Sequence, residues 1–199
     1  MVKMDVGMNN RSALLEATKS LVAAKGVKAT TVADIALRAG VAKGLLFYYF
    51  KDKESIIQAL ADEVDSFYMA GLTSAAVSGA ALDQLHALIS HHFDFLAASS
   101  ESAQFLYQIA DAGVGSRAKG FYEHLYARIL NILKHGVQSG EFEALDMEEL
   151  AYMLLGSLHG VGRLKLFEFK REYDAAGHLA AFYDKILLRH AMARSSVDS

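Results

Sequence analysis

An all-α protein of about nine helices is what this sequence predicts, divided into a small N-terminal three-helix domain over residues 1–54 and a larger helical body over 55–199. Three observations carry that expectation. From Thr30 to Leu60 the chain reads as a short helix, a glycine turn, a second short helix and then a longer one, the pattern of a helix-turn-helix with a supporting helix. Beyond it, apolar residues recur at three- and four-residue spacing in segment after segment. The 199 residues contain no proline, which removes one cause of sharp helix kinks and leaves Gly and Ser to punctuate the loops.

Residues 1–9 are polar and read as a loose tail from which Lys3 can reach a phosphate. A first helix is predicted from Asn10 to Lys25, with Leu14, Leu15, Ala17, Leu21 and Val22 at helical spacing and Gly26 as its stop. Thr31 with Asp34 three residues on forms a capping pattern, so the second helix starts there, carries Ile35 and Ala36 inward and ends at Ala39-Gly40-Val41. The third opens near Ala42 and is only about two turns long, too short to be stable alone. It must be braced by its neighbours. Leu46 and Phe50, four apart, face inward and leave Lys43, Gly44, Leu45, Phe47 and Tyr48 to the outside, an expensive surface unless something covers it.

Lys53-Glu54-Ser55 opens a helix to about Leu72 with Ile56, Ile57, Leu60, Val64, Phe67 and Tyr68 along it. Gly, Ser, Thr and Ala between Gly71 and Ala81 mark a junction. Further helices are predicted over 82–98, 102–112 and 117–139, separated by a glycine turn at Gly113 to Gly115 and closed by Gly140-Glu141-Phe142. Asp146 and Glu149 form another capping pattern, leading into Leu150, Met153, Leu154, Leu158, Val161 and Leu164, with Gly156 and Gly160 sharing a face that a second helix can approach closely. The last helix, Asp174 to Met192, repeats Leu179, Phe182, Tyr183, Ile186, Leu187 and His190.

One string is far more specific than helical periodicity. Gly26, Thr30, Thr31, Val32, Asp34, Ile35, Ala36, Ala39, Gly40, Val41, Lys43, Gly44, Leu46, Tyr49, Phe50, Lys53 and Glu54 follow one another without a gap. In these residues the chain closely resembles the N-terminal domain of the TetR family of bacterial transcriptional regulators. Three positions depart from that pattern: Ala42 for the usual Ser, Leu45 for Thr and Phe47 for Tyr. Ala42 gives up a capping hydroxyl, while Leu45 and Phe47 exchange hydroxyls for apolar surface that suits thymine methyl groups.

The resemblance implies a DNA-binding N-terminal domain and a C-terminal domain for effector binding and dimerisation. Lys43, Gly44, Leu45, Phe47 and Tyr48 would then face the bases, and Thr31, Tyr49 and Lys53 the phosphates of a double-stranded operator. It further implies a cytoplasmic homodimer paired through the last two large helices, with reading helices roughly 34 to 36 Å apart on a pseudo-palindrome. Its function would be that of a repressor released by a small apolar or aromatic effector, lined by Phe67, Phe93, Tyr107, Phe121, Tyr122, Leu125 and Met153 with His124 and His159 as polar anchors.

Charge agrees with that polarity. The net charge of −3 conceals nine basic and five acidic residues in 1–54, so the remainder carries 11 basic and 18 acidic. Phosphate attracts one end and repels the other, which orients the encounter. No apolar signal segment occurs between Met1 and Arg11, and no stretch approaches the roughly 18 to 20 apolar residues of a membrane span.

Other functions find little purchase. The absence of Cys excludes disulfides and thiolate metal sites. The adjacent His91 and His92 point to different sides of a helix, whereas helical metal pairs stand three or four apart. No Glu-x-x-His, His-Glu-x-x-His, Gly-x-Ser-x-Gly or P-loop occurs, so no catalytic residue, metal ligand or cofactor is assigned. Two alternatives stay open: a helical adaptor that keeps the fold without reading DNA and, with less support, an all-α metal-dependent or hydrolytic enzyme.

Overall fold

The computed structural model describes residues 2–75, 79–112, 117–143, 145–168 and 173–188, and within them the side chains from Asn10 onward except those of 74, 75, 117 and 118. Every regular element among them is helical: α1 (Val2–Ala29), α2 (Val32–Arg38), α3 (Lys43–Tyr49), α4 (Lys53–Ala75), α5 (Ala81–Ala98), α6 (Ser100–Asp111), α7 (Arg117–Ser139), α8 (Met147–Arg163) and α9 (Ala175–Leu187). A π-helical turn, Leu164–Glu168, extends α8, which the sequence periodicity did not indicate. The predicted glycine turn at Gly113 to Gly115 and the end of the last helix at His190 to Met192 lie outside the described residues.

Two compact units result, and neither is a continuous segment. The first comprises residues 1–67 and 99–121, the second 68–98 and 122–199. Compactness therefore does not divide the chain at 54/55. The reason is α6, which packs along α1 although some eighty residues separate them. Ser20 Oγ donates to the Glu101 carboxylate at 3.0 Å, and the Gln108 amide lies over Gly26. There α1 breaks at φ 79°, a left-handed conformation that glycine adopts without a Cβ penalty.

In the first unit α1, α2 and α3 pack on one another around Leu14, Ile35 and Leu46, all fully buried, with Ile56 and Ile57 of α4 also in the core. In the second unit α5 packs on α8 and α9; His86 Nε2 and the Asp184 carboxylate, 2.7 Å apart, tie α5 to α9. Asp146 and Asp174 cap α8 and α9 by accepting backbone N–H bonds in the first turn, as the sequence predicts for Asp146. Among the described residues no helix is long and apolar enough to cross a membrane.

Candidate nucleic-acid interface and effector site

The helix-turn-helix is built by local chemistry at each junction. Thr31 accepts a bond from the Asp34 N–H at 3.1 Å, and the Asp34 carboxylate accepts one from the Thr31 N–H at 3.0 Å, a complete capping box. Lys25 Nζ, 2.8 Å from the same carboxylate, is the largest influence holding Asp34 down to about 2. At the other end of α2, Gly40 takes φ 68°. Its N–H donates to Leu37 O and that of Val41 to Ala36 O, which satisfies carbonyls the helix would otherwise leave open. Ala42 supplies no side-chain cap to α3.

That short helix is held instead by what it buries. Leu46 is fully enclosed and Phe50 nearly so, with the Arg11 guanidinium 5.5 Å above the Phe50 ring. Lys43 and Gly44 are exposed, Phe47 is 50% exposed and Tyr48 is 78% exposed, while Leu45 and Tyr49 are half-buried. The Tyr48 and Tyr49 rings meet edge to face at 5.0 Å, and Lys43 Nζ lies 6.0 Å from the Phe47 ring. The outward set thus combines one cation, two aromatic rings and a glycine on a single two-turn helix. Leu37 of α2, 82% exposed, is a further outward apolar residue; its position beside the inward pair Ile35-Ala36 was the signal available for it.

The residues expected at phosphates have other work as well. Thr31 spends its oxygen lone pair on the cap and keeps a hydroxyl proton. Lys53 Nζ donates to the backbone carbonyls of Val27 and Thr30, each at 3.0 Å, and so closes the chain that follows the break in α1. The sequence pattern gave no hint of that bracing role.

The nine residues assigned to the effector are divided between the two units. Phe67, Tyr107 and Phe121 belong to the first unit, where Tyr107 and Phe121 are buried and Phe67 is 65% exposed. Phe67 borders a groove of about 340 Å³ whose other walls include Glu16, Lys19, Leu60, Glu63 and Val64. In the second unit Phe93 and Leu125 are core residues, whereas His124 is exposed and Met153 54% exposed, which sets these two apart from an enclosed lining. Tyr122 and His159 are drawn together, the phenol oxygen standing 2.7 Å from Nδ1.

More polar chemistry lies inside the second unit than the sequence reading allowed. His92 is buried on α5, and its Nδ1 stands 3.1 Å from the Tyr68 hydroxyl. His91, next in the chain, turns its Nε2 to the Tyr68 carbonyl at 3.0 Å. The two imidazoles do point differently, yet both engage one residue of α4. His92 Nε2 has no hydrogen-bond partner among the described residues. Burial, with His91 and His159 close by, lowers His92 to about 4, so its ring is neutral at physiological pH. Adjacent histidines on a helix carry no metal-site spacing, and that criterion hid this residue. The better signal is that position 92 falls on the stripe of Leu85, Leu88, Ile89 and Leu96.

Comparison with known proteins follows the same outline. The family described as "Bacterial regulatory proteins, tetR family" matches residues 14–60. The fatty acid metabolism regulator protein of Bacillus subtilis (strain 168) is 32% identical over 73% of this chain and 77% of its own length. The HTH-type transcriptional regulator BetI of Klebsiella pneumoniae (strain 342) is 31% identical over the whole of this chain and 90% of its own. Among solved structures, the transcriptional regulator FadR from Bacillus subtilis in complex with stearoyl-CoA shares the fold at a TM-score of 0.74, with 24% identity over 90% of this chain and 97% of that one.

Proposed function

Because this chain belongs to the TetR family of bacterial transcriptional regulators, we propose that it is a ligand-responsive repressor that binds a pseudo-palindromic operator as a homodimer and leaves it when an apolar or aromatic effector binds. The observation that carries this reading is α3. A helix of seven residues pinned by one buried leucine presents Lys43, Phe47 and Tyr48 outward, a surface without packing value inside the protomer. Set in a major groove, Lys43 supplies charge and polar contact, and Leu45 and Phe47 offer apolar surface to thymine methyls. Thr31 and Tyr49 hold phosphates and set the register; Lys53, already bonded to two carbonyls, has one N–H left for that task.

The homodimer reading rests on α8 and α9. Tyr152, Met153 and Phe182 stand exposed, and a Cβ added at Gly156 or Gly160 would meet no other atom within 4 Å. A second copy covering this face would bury the apolar side chains and use the glycines for close helix approach. The effector reading draws on the second unit's interior and on the stearoyl-CoA complex of a relative. An effector acts only through its different affinity for the two spacings of the reading heads, typically about 1 to 3 kcal/mol. The connecting element is α4, which starts at Lys53 in the first unit and runs to Ala75 in the second.

Fluorescence anisotropy with DNA from the region upstream of the chain's own gene, beside random duplex, tests the proposal. Leu45→Ala should lose operator affinity by about 1 to 3 kcal/mol, roughly 5- to 150-fold, while binding to random duplex stays unchanged. Equal losses on both DNAs would remove Leu45 from base reading. A complex insensitive to both salt and sequence would favour the adaptor.

A further inference from the structure

We propose that His92 reads the effector, its buried Nε2–H donating to a neutral acceptor oxygen, such as a ketone or ester carbonyl, on an otherwise apolar ligand. The inference rests on the reading that the second unit takes an apolar effector, and it names the polar group such an effector carries.

The tautomer follows from the partners. When the Tyr68 hydroxyl donates to Nδ1 across 3.1 Å, the ring proton sits on Nε2. The Leu158 backbone of α8 acts on the ring as a hydrogen-bond acceptor does, favouring its protonated form, while Nε2 meets no partner at hydrogen-bond distance and angle among the described residues. A buried donor with no partner is uncommon in folded proteins and calls for an explanation. A core that needed only volume at this position would be served by Phe, as at Phe93 and Phe95 beside it.

The surroundings select the ligand. His91 and Tyr68 flank the ring, and the Tyr122–His159 pair brings a phenol and a second imidazole from α7 and α8. His159 is close enough to His92 for its charge to matter. None of these side chains is a lysine or arginine, so a carboxylate placed here would meet no cation within the cluster, and His92 itself stays neutral. An uncharged oxygen accepts from Nε2–H without bringing a charge into a core where Phe93 packs against the His92 ring and Phe95 against Tyr68.

Acetophenone and ethylbenzene, matched in shape and differing in the carbonyl, are the probes. Calorimetric titration of the full chain is combined with ¹⁵N–¹H spectra of its histidine side chains. Wild-type protein should bind the ketone at least tenfold more tightly than the hydrocarbon, with the His92 Nε2–H resonance moving on addition of the ketone alone. His92→Phe should bind both alike. Equal affinities in wild-type protein, with the His92 resonance unmoved by the ketone, would overturn the role of His92 and leave the effector site standing. If neither compound binds or moves any resonance of the second unit, the effector reading beneath it falls too. The wild-type spectra decide between these outcomes even should His92→Phe fail to fold.

Discussion

The two units break the rule of apolar inside and polar outside at different kinds of place. The first places a leucine and two aromatic rings of α2 and α3 in solvent, while those helices and α1 pack around the aliphatic Leu14, Ile35 and Leu46. The second closes its core around imidazoles and phenols, leaving one nitrogen of His92 unpaired. In the proposed function, surface that costs solubility meets a large external partner whose grooves are pre-shaped. A buried polar group left unsatisfied costs stability, and in the proposal it meets a partner small enough to be enclosed. The proposed sites coincide with departures from economical packing, on the outer face of α2 and α3 in one unit and at His92 in the other.

The contrast can be broken most forcefully at Leu46. Truncation to Ala removes the anchor of α3 and should destabilise the protein by about 2 to 5 kcal/mol in urea unfolding, because the helix is too short to persist without it. A loss below about 1 kcal/mol would mean that α3 is held by something other than its buried face.

Acid should expose the cost carried by the second unit. Folding holds His92 near 4 while the unfolded chain titrates near the ordinary 6.5, so as pH falls the unfolded state takes up the proton first. This contribution is complete above about pH 6.5 and declines towards pH 4, by at most about 3 kcal/mol. His92→Phe should lack that part of the acid dependence. An unchanged slope between pH 6.5 and 4 in His92→Phe would show that the imidazole is not held neutral by the fold.

Tyr48→Ala should show the smallest effect on stability. At 78% exposure the ring contributes little to the fold, and unfolding should shift by no more than about 0.5 kcal/mol. Calorimetry that found a much larger loss would place Tyr48 in the protein's own packing and sharpen the comparison against the reading-head interpretation.

Much of the first unit was legible because its signals are local. Thr31 and Asp34 define a cap within four residues, Gly40 ends α2 where the string says it must, and the four-residue spacing of Leu46 and Phe50 sets the inner face of α3. The second unit was less legible because its polar contacts join residues distant in sequence. Tyr68 and His92 are 24 positions apart, Tyr122 and His159 37 apart, and apolar periodicity says only that such faces are buried. Phe67 and Met153 show the converse. Both sit on apolar stripes yet emerge at the surface, since periodicity does not say which residue at the edge of a stripe is covered.

By itself, the sequence determined the helical class, the capped helix-turn-helix, the family and the division of charge, since each depends on neighbours a few residues apart or on composition. Only tertiary structure decided that α6 joins the N-terminal unit, that Lys53 braces two backbone carbonyls and that His92 is enclosed against the Tyr68 hydroxyl. These are contacts between segments 23 or more residues apart, and a linear pattern of residue types cannot specify which distant group fills a given hydrogen bond.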